Sequence, residues 1–398
     1  RDLHSFPTRR SSDLNLCLSH SGVGVYLSLQ GEEVDDQNGD RLKMMSRYRA
    51  FMAPVMVSTV DQLLSANFNV GGWFFKELAM LGASVIFDEI HAYEPFTLGL
   101  IAATINRIKD MGGRVMVMSA TMPQKLREHF CNILGVEKPV VAEEMMGIQK
   151  CSWEYREETF GDSYDDEIFE ALRENKKVAI VHNTVKDAQK TFLRLKKILG
   201  ERLPSKKILC YHSRFTMKDR NSKEKMLLDK DERGRPDSVD LVVATQAIEV
   251  SLDISFDVMF SECAPLDSLI QRAGRCNRLM GDSAGRFIVF PIGKVAQQYV
   301  YSRFMDIHKK TTDVLRRWSG VPSERDLNAM LEDVYAEEDF LDENYKEAIA
   351  IVNKILKNPS YCLFDEMNFT QQHVTRKIEY FKERLRSEER RVGKECRS

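Results

Sequence analysis

The sequence predicts an α/β protein: two tandem parallel-sheet domains, the first truncated, and then a helical C-terminal segment. Three observations carry this. Short apolar runs end abruptly in polar residues, as in Val85-Ile86-Phe87-Asp88-Glu89 and Val115-Met116-Val117-Met118-Ser119. Such runs fit strands covered on both faces, the habit of parallel sheets. Between them lie stretches of helical apolar spacing, such as Leu98, Ile101, Ile105 and Ile108. The alternation of strand and helix then repeats after a polar stretch at residues 143–166, which gives a second right-handed unit.

Taken in order, residues 15–30 hold a candidate strand and 31–41 an acidic loop. Residues 52–57 are apolar and β-branched, a strand, with Ser58 placed to cap a short helix carrying Leu63 and Leu64. Helices follow at 75–81 and 97–110, the latter stopped by Gly112-Gly113. A strand at 114–118 and a helix at 124–134 complete the first half. The second half reads as a helix at 165–174, strands at 177–181, 207–211, 239–244, 258–260 and 286–290, and intervening helices at 185–199, 217–228 and from 267. Three charged, helically spaced stretches close the chain at 295–318, 323–332 and 343–356. The expected domains are 15–145, a linker at 146–164, 165–294, and a helical accessory segment at 295–386. Residues 1–14 and 387–398 resemble translated adapter sequence and are set aside from fold reasoning.

Bulk composition narrows the function. The 398 residues are 43% hydrophobic and 30% charged, with a formal net charge of -2, which argues against a wholly basic nucleic-acid binder but leaves room for a local basic groove. No apolar run approaches the roughly 20 residues that span a bilayer, so no membrane partner is expected. The eight cysteines are scattered without a Cys-x-x-Cys, which points to neither a zinc site nor a disulfide framework, and the expected location is the cytoplasm.

The chemistry sits where strands end. Asp88-Glu89-Ile90-His91 follows one predicted strand and Ser119-Ala120-Thr121 the next. Paired carboxylates beyond the carboxyl end of a parallel strand suit nucleotide hydrolysis: one holds Mg2+, largely through water, and the other polarises the attacking water. The strongest constellation is Thr245-Gln246-Ala247-Ile248-Glu249-Val250-Ser251-Leu252-Asp253 with Gln271-Arg272-Ala273-Gly274-Arg275-Cys276-Asn277-Arg278. Arg272, Arg275 and Arg278 recur every three residues, so they are expected on one helical face, where an arginine cluster can neutralise a transferring phosphoryl group. A solvated basic helix face would read the same way in isolation.

Together these segments resemble motifs II, III, V and VI of superfamily 2 helicases. Val181-His182-Asn183-Thr184, His212-Ser213-Arg214-Phe215 and Ala264-Pro265-Leu266-Asp267 narrow the resemblance to the signature helicase-nuclease of type I CRISPR systems, over residues 52–278. The resemblance implies two RecA-like domains and a 3′-5′ single-stranded DNA translocase driven by ATP and Mg2+, recruited by an RNA-guided CRISPR surveillance complex. It implies Asp88 on Mg2+, Glu89 on the hydrolytic water, His91 coupling the nucleotide site to the opposite domain, and Ser119 and Thr121 linking hydrolysis to movement. Gln271, Arg275 and Arg278 would face the phosphates, with Asp253 on the ribose or on Arg278. Thr59, Thr184, His212, Arg214 and Thr245 would lie near the nucleic acid, although Thr184 and Thr245 could equally be helix caps and His212 a satisfied surface histidine. The sequence contains no Gly-x-x-x-x-Gly-Lys-Ser/Thr, and no paired His-Asp of the family's nuclease, so the isolated chain is expected to be inactive. The alternatives are an RNA helicase of the Asp-Glu-x-His group and a non-catalytic nucleic-acid clamp.

Overall fold

The computed structural model describes residues 16–19, 51–69, 73–249, 252–279, 284–300 and 305–357. Most of the expected strand at 15–30, the loop at 31–41 and both terminal segments lie outside them. The chain divides into two compact units, an N-terminal one within residues 7–139 together with 339–398, and a central one within 140–338.

In the N-terminal unit, β1 (Leu16–Ser19) pairs in parallel with β2 (Val55–Ser58). Helices α1 (Val60–Leu64) and α2 (Trp73–Met80) lead to β3 (Ser84–Asp88), followed by α3 (Pro95–Asp110), β4 (Arg114–Met118) and α4 (Gln124–Leu134). Strands β3 and β4 are parallel, with Asp88 opposite Met118. Ser58 does not cap α1: it is the last residue of β2, and the N-cap is Thr59, extended and without a side-chain cap bond. Burial on both faces of β3 and β4 is also not what is found. Phe87 is 5% exposed, whereas the laterally paired Ile86 and Met116 are 60% and 53% exposed. The helices cover one face of these strands, and no described element covers the other.

The central unit holds β5 (Cys151–Tyr155), α5 (Asp165–Arg173), β6 (Val178–Val181), α6 (Val185–Arg202), β7 (Ile208–Tyr211) and α7 (Met217–Leu228). It continues with β8 (Leu241–Ala244), β9 (Val258–Glu262), α8 (Leu266–Ala273) and β10 (Gly285–Phe290). Its six strands form an all-parallel sheet in the order β5-β10-β9-β6-β8-β7. Every residue of β6, β8 and β9 is buried, as a sheet covered on both faces requires. Strand β5 corrects the expected linker at 146–164, for it is the edge of this sheet. Its alternation, with Cys151 and Trp153 buried and Glu154 exposed, is the period of a half-covered strand, a signal present in the sequence.

The expected accessory segment is divided. Helices α9 (Lys294–Tyr299), α10 (Met305–Arg317) and α11 (Glu324–Tyr335) belong to the central unit. Helix α11 opens on a capping box made by Ser323 and Asp326, and near its end the Tyr335 hydroxyl donates to Asp267 of α8 at 2.5 Å. Helix α12 (Glu343–Lys357) belongs to the N-terminal unit, where Tyr345, Ala348 and Val352 enter the core built by α3. His129 of α4 meets the Tyr345 hydroxyl at 2.5 Å. The approach of α12 to α3 depends on Gly99, because a Cβ there would run into the carbonyl oxygen of Tyr345 and lie 2.8 Å from Ala348 Cβ. Gly99→Ala, which in a free helix would help by about 1 kcal/mol, is therefore expected to destabilise this unit by about 1–3 kcal/mol. Thermal unfolding checks the sign: a raised melting temperature would contradict the packing described. No described helix is long and apolar enough to cross a membrane.

Candidate functional site

In the N-terminal unit the site begins where β3 stops. The Glu89 N–H donates to the Met118 carbonyl at 2.9 Å, extending the pairing one residue past Asp88. Glu89 then adopts a left-handed backbone, φ 55°, which a non-glycine residue takes at some cost. The reversal throws the chain into a short 3-10 turn, Ile90–Ala92. It buries Ile90 and His91 and leaves the carboxylates of Asp88 and Glu89 exposed at the end of the sheet. His91 is held from both sides: Nδ1 lies 2.7 Å from Ser119 Oγ and Nε2 lies 2.6 Å from Thr121 Oγ1. Hydroxyls both donate and accept, so either neutral tautomer of the imidazole is satisfied. Glu89 Oε2 stands 3.4 Å from the same Nδ1. The turn after β3 and the turn after β4 are thus joined through one side chain, and Asp88, Glu89, His91, Ser119 and Thr121 form one cluster.

In the central unit, Thr184, His212, Arg214 and Thr245 follow the carboxyl ends of the neighbouring strands β6, β7 and β8, the edge at which open α/β sheets bind ligands. They are not equally available. The Thr184 hydroxyl is engaged at the start of α6, accepting from the Asp187 N–H at 3.1 Å and donating to its carboxylate at 2.5 Å, so capping is what it does. Thr245 is buried. His212 is buried and stacked on Phe215, with ring centroids 4.1 Å apart, while its Nδ1 accepts from the Arg214 N–H. Burial lowers its pKa, so the ring is neutral at pH 7. Arg214 is exposed, as is Thr59 in the other unit.

The arginines depart from the expectation. Helix α8 ends at Ala273, so Arg272, Arg275 and Arg278 do not share a helical face. Arg272 is completely buried. Its guanidinium reaches Glu249 at 2.6 Å, Ser261 Oγ at 3.0 Å, the Glu262 carbonyl at 2.9 Å and Asn183 Oδ1 at 3.0 Å. It is a structural hub rather than a finger. Nearby His308 of α10 is held down to about pKa 4 by burial, and then by the charge of Arg272, so it adds no second cation there. Arg275 donates to the Glu249 carbonyl at 2.9 Å, and Arg278 Nε lies 2.7 Å from Asp253 Oδ1. Asp253 and Arg278 stand by the amino end of β9, where Phe256 bridges Cys276, away from the strand-end group. Gln271 is half-buried on α8.

Asn183 and Glu249 were not singled out from the sequence as members of this network. A polar residue two positions past a buried strand and a carboxylate inside an otherwise apolar segment were the available signals.

Residues 174–280 match the family model described as CRISPR-associated nuclease/helicase Cas3, C-terminal. The putative CRISPR-associated nuclease/helicase Cas3 of Methanocaldococcus jannaschii is 30% identical over 320 residues, 76% of this chain and 41% of that protein. The chain thus spans less than half the length of that relative. Among solved structures, T. fusca Cas3 with ATP superposes with a TM-score of 0.66 at 21% identity, covering 86% of this chain and 46% of that one. A chain of a CRISPR RNA-guided surveillance complex in a pre-nicking state superposes with a TM-score of 0.61 at 19% identity, covering 86% and 48%. The motifs, the two parallel-sheet units and these relatives agree: over the part of their length that it spans, the chain is similar to the CRISPR-associated nuclease/helicase Cas3 proteins.

Proposed function

We propose that this chain is the motor part of an ATP-dependent 3′-5′ single-stranded DNA translocase of type I CRISPR interference. The observation that carries this reading is His91, buried and bonded at both ring nitrogens to Ser119 and Thr121, with the exposed Asp88 and Glu89 beside it. Such an arrangement transmits a change at the carboxylates into the neighbouring strand end, as a motor requires and a passive clamp does not.

The residues present fit a magnesium nucleotide. Mg2+ prefers hard oxygen ligands, and usually takes one or two carboxylates with the rest of its shell from water and phosphate. Asp88 and Glu89 offer that number, and no cluster of three or more acidic, histidine or cysteine ligands occurs among the described residues. When bound, the ion would neutralise charge on the phosphates. Asp88 would hold it and Glu89 would orient the attacking water. Gln271, Arg275 and Arg278 would offer cationic and polar groups to the phosphates. Arg214 and Thr59 would contact the strand backbone, with His212 and Thr245 shaping the surface behind them. ATP in the T. fusca relative supports the nucleotide, and the surveillance-complex relative supports an RNA-guided partner.

The experiment is hydrolysis measured with and without single-stranded DNA. The gene-length protein, a form extended to the length of the relatives that the chain matches, is expected to be strongly stimulated by DNA. The 398-residue chain alone, with no Gly-x-x-x-x-Gly-Lys-Ser/Thr to cradle phosphates, is expected to show negligible turnover. Robust DNA-stimulated hydrolysis by residues 15–386 would refute the second expectation. A gene-length protein indifferent to DNA would refute the first.

A further inference from the structure

Arg278 does not stand alone. Its partner Asp253 uses one carboxylate oxygen for it, Oδ1 at 2.7 Å, and gives the other, Oδ2, to Lys230 Nζ at 2.9 Å. The same ammonium also donates to the Asp253 carbonyl at 2.9 Å, so Lys230 fixes both the backbone and the rotamer of Asp253. Burial is the largest single influence on the Asp253 carboxyl and would raise it, but Lys230 and Arg278 together outweigh it and hold the group below the usual carboxylate range.

Lys230 lies outside every signature motif, at the base of a hairpin-like loop that is itself firmly built. The Asp237 N–H donates to the Asp229 carbonyl at 2.8 Å, and Lys230 bridges Pro236. Asp231 Oδ1 accepts the N–H groups of Arg233 and Arg235, both at 2.9 Å, closing the tip of the loop. Gly234 has φ +71° there, a conformation that suits glycine. Arg235 joins Asp231 to Asp257, whose carboxylate also accepts the Lys177 N–H at 2.7 Å at the start of β6. The loop also grips the far side of the ion pair. The Ser255 N–H donates to the Gly234 carbonyl at 2.9 Å, Ser255 Oγ accepts the Arg278 N–H at 3.0 Å, and Leu279 packs over Gly234.

We infer that the loop at residues 229–237 is the seat of Arg278, and that Lys230 is a positioning residue which acts through Asp253 to aim that guanidinium. The inference rests on the proposed role of Arg278 toward phosphate. Each carboxylate oxygen has its own cationic partner, so Lys230 orients the acid rather than competing for it. Without Lys230 the Asp253 carboxylate can rotate, and Arg278 loses a fixed anchor. An exposed ion pair contributes little to stability, about 0–1 kcal/mol. The effect is therefore expected in turnover and not in folding.

The test compares Lys230→Ala, Lys230→Arg and Arg278→Ala in the gene-length protein, by steady-state DNA-stimulated ATP hydrolysis. A guanidinium displaced by a fraction of an ångström to an ångström costs on the order of 10-fold or more in kcat. That loss is expected for Lys230→Ala, with KM for ATP changed less than about twofold and the melting temperature unchanged. Lys230→Arg, which keeps a donor for Asp253 Oδ2 and for the Asp253 carbonyl, is expected to restore kcat. If Arg278→Ala abolishes turnover while Lys230→Ala matches wild type, or changes KM alone, the positioning role is overturned and the site reading stands. If Arg278→Ala itself turns over normally, the site reading fails. A direct readout in the 398-residue chain needs no hydrolysis: the Arg278 Nε–H resonance should be protected from water exchange, lose that protection in Lys230→Ala and regain it in Lys230→Arg. Equal exchange in all three proteins would overturn the inference.

Discussion

Arg272→Ala is expected to destabilise the central unit by about 3–5 kcal/mol, because it removes one partner from a buried charged network. Four acceptors meet that guanidinium, and Glu249 would be left inside without its counter-ion. Asn183 follows β6, Glu249 follows the turn after β8, and Ser261 lies in β9, so three segments lose their common tie at once. For a unit of about 200 residues each kcal/mol moves the melting temperature by about 2–4 °C, which makes the expected drop roughly 6–20 °C. Circular dichroism on the purified chain measures it, and a shift of about 2 °C or less would show that the network is dispensable. Arg272→Met combined with Glu249→Gln should recover part of the loss, since both charges are then removed and the volume is kept.

Arg278→Ala tests a different link, from geometry to chemistry. Arginines that face a transferring phosphoryl group are worth about 10³-fold or more in rate. In the gene-length protein the substitution is expected to abolish DNA-stimulated hydrolysis while leaving nucleotide binding intact, measured by titration with a fluorescent ATP analogue. The melting temperature should hardly move, since the pair with Asp253 is 41% exposed on each side. Arg272 and Arg278 thus come from one motif with opposite expected signatures: the first fails by unfolding and the second by loss of turnover.

That contrast also shows what a linear sequence conveys. The central sheet was legible because β6 and β8 are short unbroken apolar runs and β9 opens on one, Val258-Met259-Phe260, and a sheet covered on both faces demands such runs. The cluster of Asp88, Glu89, His91, Ser119 and Thr121 was legible because both segments follow strands that pair laterally. Three things were hidden. Spacing by three placed the arginines on one helix, but Gly274 follows the last residue of α8, and a spacing rule holds only while the helix lasts. Strand β5 sits in a polar stretch and shows only period-two alternation, which composition obscures. The half-exposed face of β3 and β4 cannot be read from Ile86 or Met116 themselves, because exposure depends on what lies opposite. Long-range partners such as Lys230 and Asp253 leave no local mark, since neither side chain needs the other to form its own turn.

The return of α12 to the N-terminal unit bears on how the protein is born. His129 and Tyr345 are separated by 216 positions, yet they share one packed layer. At a ribosomal pace of about 5–20 residues per second, that layer waits roughly 10–45 s for its last helix. All of residues 140–338 are synthesised in the meantime, so the central unit can finish first although it is made second. Until α12 arrives, the groove along Gly99 stays open to solvent, which makes the nascent N-terminal unit a natural client for a chaperone.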